Sequence, residues 1–133
     1  KFEKRRKKLG QIIDMQKKKT GKLFNFCMQS TAIIANKTHR EIFSLGRLGE
    51  EIGLLFQLVD DFLDLQGSSK EIGKPVKKDN KKGKSTLISL MGYKNAVKYA
   101  EKLNRKILIK LKKHGKNTQD LIDTVEFIYK RRF

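Results

Sequence analysis

Between Ile52 and Leu65 the chain reads Ile-Gly-Leu-Leu-Phe-Gln-Leu-Val-Asp-Asp-Phe-Leu-Asp-Leu, and with four residues set aside it is apolar on every side. A helix that is oily all round belongs at the centre of a domain. The exceptions are Gln57, Asp60, Asp61 and Asp64, at offsets of 3, 4 and 7 from Gln57. On a helix those offsets fall along one narrow face. Three carboxylates on one face of a buried rod repel one another and lose hydration, and an unpaired buried charge costs several kcal/mol. Such a stripe persists only against metal ions, basic residues or water in a cavity. Asp60 and Asp64 stand one turn apart, so their oxygens can approach one cation. Carboxylate ligation selects a hard cation, and with two or three protein ligands Mg²⁺ shared with phosphates fits better than a full Ca²⁺ cage. A glycosidase-like acid pair does not fit, because adjacent acids on one helix cannot face each other across a cleft.

The surrounding pattern predicts an all-α chain. One proline, no tryptophan and 38% hydrophobic residues in 133 suit one helical domain over 1–133, with no internal repeat and no strand. Residues from about 9 to 36 carry helical periodicity interrupted by Gly21, as one helix or two. Thr38 followed by Glu41 is a capping box opening a helix that runs to about Leu65, in which Gly46, Gly49 and Gly53 allow close packing or a bend. A polar loop is expected over about 66–83, then a short helix from Ser85 to Leu90, then helices over about 93–113 and 117–131. Cys27, the single cysteine, lies in an apolar run and reads as buried filler. It excludes an internal disulfide and a cysteine zinc site.

A net charge of +18, from 32 basic and 14 acidic residues, suggests a polyanionic partner: nucleic acid, an anionic membrane surface or phosphorylated small molecules. Lysine far outnumbers arginine, and an AT-rich coding bias produces the same excess, so charge alone does not decide. A basic nucleic-acid-binding helical module leaves the acid stripe unexplained. No run reaches the roughly 18–20 apolar residues of a bilayer span. The basic start, Lys1 to Lys8, lacks the apolar stretch of a signal peptide and enters directly into a helical pattern without methionine, which suggests truncation.

Phe56-Gln57-x-x-Asp60-Asp61-x-x-Asp64 resembles the second aspartate-rich motif of the trans-type polyprenyl diphosphate synthases, the farnesyl/geranylgeranyl diphosphate synthase family. Gly73-Lys74, Asp79 and Gly83-Lys84-Ser85-Thr86 resemble that family's following loop. Upstream, Lys19-Thr20-Gly21 matches its Lys-Thr pair, and Tyr129-Lys130-Arg131-Arg132 its basic C-terminus. Gly83 to Thr86 is not a P-loop, since the glycine that motif needs five positions earlier is Lys78.

The resemblance implies the C-terminal half of a helical bundle of the isoprenoid synthase type. It also implies addition of isopentenyl diphosphate to an allylic diphosphate, with Mg²⁺ assisting ionisation. Asp60, helped by Asp64 and Asp61 through water, would hold the metal. Lys19 and Lys74 would contact the diphosphate, Lys84 more remotely, with Arg131 and Arg132 among the diphosphate-binding cations. Thr20 and Gln57 would turn oxygens towards the developing cation. No histidine base is needed, so His39 and His114 are ordinary polar residues, and Lys17, Lys18, Lys77, Lys78, Lys81 and Lys82 are solvated charge. The family's first aspartate-rich motif lies in an N-terminal half that these residues do not include, so the chain alone is expected to be inactive and to expose apolar surface. A cytoplasmic homodimer is the family's usual state, and a catalytically silent partner subunit is the alternative.

Overall fold

The computed structural model describes residues 9–72 and 86–131. Its elements are α1 (Leu9–Gln16), a π-helical turn (Lys17–Gly21), α2 (Lys22–Ile34), α3 (His39–Ile72), α4 (Leu87–Met91), α5 (Tyr93–Lys112), a 3₁₀ turn (Lys116–Thr118) and α6 (Gln119–Lys130). Among the described residues there is no strand, and the expected all-α class holds.

α3 is the axis. Every other helix touches it, and Leu55, Leu58 and Val59 are wholly buried, with Phe62 nearly so. Its entry is the expected capping box: the Thr38 backbone N–H donates to Glu41 Oε2 at 2.9 Å, and the Glu41 N–H returns a bond to Thr38 Oγ1 at 3.3 Å. Its exit is not where the sequence placed it. The helix continues to Ile72, through the glycine and serines expected to open a loop. The glycine weakens the helix by about 1 kcal/mol, but an established helix needs no new nucleation to pass through it.

The region from 9 to 34 is two helices joined through the π turn. The inward positions are Ile12, Gln16, Gly21, Phe24, Met28 and Ala32, all buried or half-buried. Their spacing is four residues everywhere except the five from Gln16 to Gly21 and the three from Gly21 to Phe24. A π turn accommodates one extra residue, so it keeps both helices presenting one side to α3.

That side sits unusually close. A Cβ on Gly53 would lie 2.8 Å from Gly21 Cα, and one on Gly49 would lie 2.5 Å from the Phe24 carbonyl oxygen. The glycines of α3 therefore serve close packing, not a bend. Only one side of α2 is used, however. Cys27 is exposed, contrary to its reading as buried filler. Around it Leu23, Phe26, Ile33 and Ile34 are also exposed, Ile34 to 82%. An apolar run reads the same whichever side meets a neighbour, so the sequence alone could not separate Cys27 from Met28.

α5 is held to α3 by a charged tie. Glu51, nearly buried, accepts from Lys110 Nζ at 2.8 Å and pairs with Lys106 Nζ at 3.0 Å. Burial pushes the Glu51 carboxyl up, but the two lysines outweigh it and hold it below its ordinary value.

Candidate functional site: an acid stripe facing a lysine-threonine turn

The π turn and the middle of α3 bring the expected residues together. Thr20 Oγ1 donates to Gln57 Oε1 at 3.1 Å. Gln57 Nε2 in turn donates to Asp61 Oδ1 across a long 3.5 Å. The chain Thr20–Gln57–Asp61 thus links the Lys-Thr turn to the acid stripe. Lys19, exposed beside Thr20, is near enough to pull the Asp61 carboxyl down electrostatically.

The three acids are graded in burial. Asp61 is 8% exposed, Asp60 half-buried and Asp64 exposed. Asp61 is therefore the acid under most strain. Burial is the main cause, Asp64 and Asp60 add repulsion, and Gln57 and Lys19 oppose it; the net result is a pKa of about 6. Its Oδ2 is buried with no hydrogen-bond donor, and an unmatched buried carboxylate oxygen points to something that the protein atoms do not supply. Asp60 is also raised, by burial and by Asp64, with Arg131 pulling against both. The sequence reading put Asp60 first as ligand and gave Asp61 a role through water. The burial gradient places Asp61, with its orphan oxygen, deepest.

Arg131, just beyond α6, sits with its guanidinium 5.8 Å from the centroid of the Phe56 ring. It thus lies over the same stretch of α3 as Asp60, whose carboxyl it pulls down electrostatically. Phe56 in turn packs against Phe24, their centroids 6.0 Å apart. This aromatic seat was missed; Phe56 was read only as part of the motif, and nothing local pairs it with Phe24 or Arg131. Lys74, Lys84 and Arg132, named as diphosphate-binding candidates, lie outside the described residues. Glu51 was also missed, since it stands one position before the stretch from Ile52 in which polar exceptions were sought.

The fit to Mg²⁺ can be judged on these groups. Among the described residues no three Asp, Glu, His or Cys side chains converge on one point, so they form no closed cage. An orphan Asp61 oxygen with Asp60 and Asp64 on the same face suits a hard cation that takes its remaining ligands elsewhere. The residues fit on those terms.

An all-helical protein with an acid stripe on its central helix opposite a lysine-threonine turn is the class that fold and site define. A model of the polyprenyl synthetase family matches residues 2–126, and the chain belongs to that family. It is 38% identical over 94 residues to the farnesyl diphosphate synthase of Bacillus subtilis, covering 71% of this chain and 32% of that protein. It is 36% identical over 110 residues to the short chain isoprenyl diphosphate synthase of Methanocaldococcus jannaschii, covering 83% and 32%. With the geranylgeranyl diphosphate synthase of Sulfolobus acidocaldarius it shares 29% identity over 121 residues, covering 90% and 36%. The chain spans about a third of the length of these relatives. No solved structure matches it significantly. No helix among the described residues is long and apolar enough to cross a membrane.

Proposed function

We propose that these residues form the carboxyl-terminal part of a prenyl-elongating transferase, in which isopentenyl diphosphate attacks an allylic cation left by a departing diphosphate. The observation that carries it is the buried, donor-less Asp61 oxygen at the end of the Thr20–Gln57–Asp61 chain. Family membership supports the reaction class, and the substrates are those the resemblance of the motifs implies.

Asp61, with Asp60 and Asp64, would hold Mg²⁺ on the acid face. What the bound ion supplies is neutralisation of charge on the departing oxygens. Lys19 and Arg131 bind the same diphosphate as fixed cations, and Lys74, Lys84 and Arg132 belong to this reading too. Gln57 Oε1 accepts from Thr20 on one lone pair and keeps a second to face the electron-poor carbons. Thr20 orients that carbonyl. The released diphosphate can accept the proton lost at the end, so His39 and His114 stay outside the chemistry. The homodimer and the cytoplasmic setting of the family are carried as part of the same proposal.

The test is calorimetric titration of inorganic pyrophosphate with and without Mg²⁺, beside radiolabelled isopentenyl diphosphate incorporation by the full gene product. Metal-dependent pyrophosphate binding that falls at least tenfold in both Asp61→Asn and Lys19→Gln supports the reading. Binding that ignores metal and both substitutions sinks it.

A further inference from the structure

The acid site absorbs only a few of the chain's cations, and the rest are not spread evenly. On α5 the positions Lys94, Lys98, Lys102, Arg105, Ile109 and Lys112, and Lys113 capping its end, are all exposed. At 3.6 residues per turn these seven fall within an arc of about 100°, along a line about 28 Å long. Lys106 and Lys110 lie beyond that arc, turned to Glu51. The opposite side of α5, including Ala96, Ala100, Leu103, Ile107 and Leu111, is buried. The stripe is therefore mounted on a helix that cannot roll.

Its charge is largely uncompensated. Arg105 pairs with Glu101, while Lys94, Lys98, Lys102, Lys112 and Lys113 have no ion pair among the described residues. Between the cations stands one apolar residue, Ile109, 60% exposed.

We propose that the outer face of α5 docks on an anionic membrane surface. A band of cations along one side of a helix can lie against a plane of negative headgroups, and a single exposed isoleucine among them can enter the interface. Nucleic acid fits less well. Single strands need stacking platforms, and the stripe holds no aromatic residue. The inference rests on the charge geometry of α5 and is independent of the reaction assigned to the acid site.

Vesicles of equal parts phosphatidylglycerol and phosphatidylcholine are sedimented with the 133-residue chain, beside vesicles of phosphatidylcholine alone. Binding is expected only to the anionic vesicles, and it should disappear between about 50 mM and 500 mM salt as charges are screened. Each headgroup-reaching cation contributes about fivefold. The combined Lys94→Gln, Lys98→Gln, Lys102→Gln and Lys112→Gln variant should therefore lose binding at least a hundredfold. The control variant Lys37→Gln, Arg40→Gln, Arg47→Gln and Lys130→Gln removes the same charge from other faces and should lose far less. Ile109→Ser should lose several-fold with charge intact. Equal loss in the two fourfold variants overturns the proposal, as does absence of binding at low salt. Tighter retention by a short DNA or RNA duplex that depends on the same four lysines also overturns it, in favour of nucleic acid.

Discussion

Thr20 Oγ1 reaches Gln57 Oε1 across 3.1 Å, joining the π turn to the central helix over a gap of 37 residues. Thr20→Val keeps the shape and deletes the donor. It should cost about 1 kcal/mol of stability. In the full gene product it should lower kcat at least tenfold while KM moves little, because the freed Gln57 carbonyl matters when charge develops. Thr20→Ser should restore most of kcat. Steady-state kinetics decides: equal losses in both variants would remove the hydroxyl from the mechanism.

Asp61 destabilises the fold that carries it. Its pKa rises from 3.8 to about 6, so the folded state holds the proton more tightly than the unfolded state does. The resulting stabilisation is complete below pH 3.8 and lost as pH climbs through about 6. Asp61→Asn should thus gain about 1–2 kcal/mol at neutral pH, after allowance for solvent screening, and little in acid. Thermal melts should also show Mg²⁺ raising the Tm of the parent but not of the variant.

Glu51 titrates with the opposite sign. Its folded-state carboxyl is held below the ordinary 4.5, so its contribution is present above that pH and fades as pH drops through the lowered value. Glu51→Gln leaves Lys106 and Lys110 facing an amide and should cost about 2 kcal/mol at pH 7. Urea unfolding at two pH values is the check: a penalty that does not shrink in acid would rule out the ion pair as its source.

Gly53→Ala tests the close seam. The new Cβ meets the Gly21 backbone at 2.8 Å and cannot be accommodated by a side-chain swing. A loss of about 1–3 kcal/mol is expected, partly offset by alanine's better helix propensity. Gly46→Ala meets the side chains of Gln29, down to its Cγ at 2.7 Å, and of Asn25; these can move where the Gly21 backbone cannot, so its loss should be smaller than that of Gly53→Ala. Comparable melting of the two variants would show that the seam yields.

Local periodicity made the helices legible, and the burial of Leu55, Leu58 and Val59 followed from a stretch that is oily all round. The acid face was legible for the same reason, since four polar residues at helical spacing stand out against that background. The approach of Lys19 and Thr20 to Gln57 was not a matter of spacing; it followed from the family resemblance. What stayed hidden depended on tertiary choice. Glu51 finds Lys110 from 59 residues away, and no local pattern announces such a pair. Cys27 and Met28 are neighbours of equal character, yet the side of α2 that α3 takes leaves one out and tucks the other in. The end of α3 was misplaced because glycine and serine weaken a helix without stopping it.

The π turn works like one extra thread cut into a screw. Remove a single residue, Lys18 for instance, and the turn can close to ordinary α geometry with Ile12 and Gln16 still facing inward. Add one instead, and with nothing left to absorb it everything before the turn twists by about 100° relative to α2. Ile12 and Gln16 would then leave the interior while α2 kept its seat. A lesion of that size, touching no acid, would disarm the protein by misalignment alone.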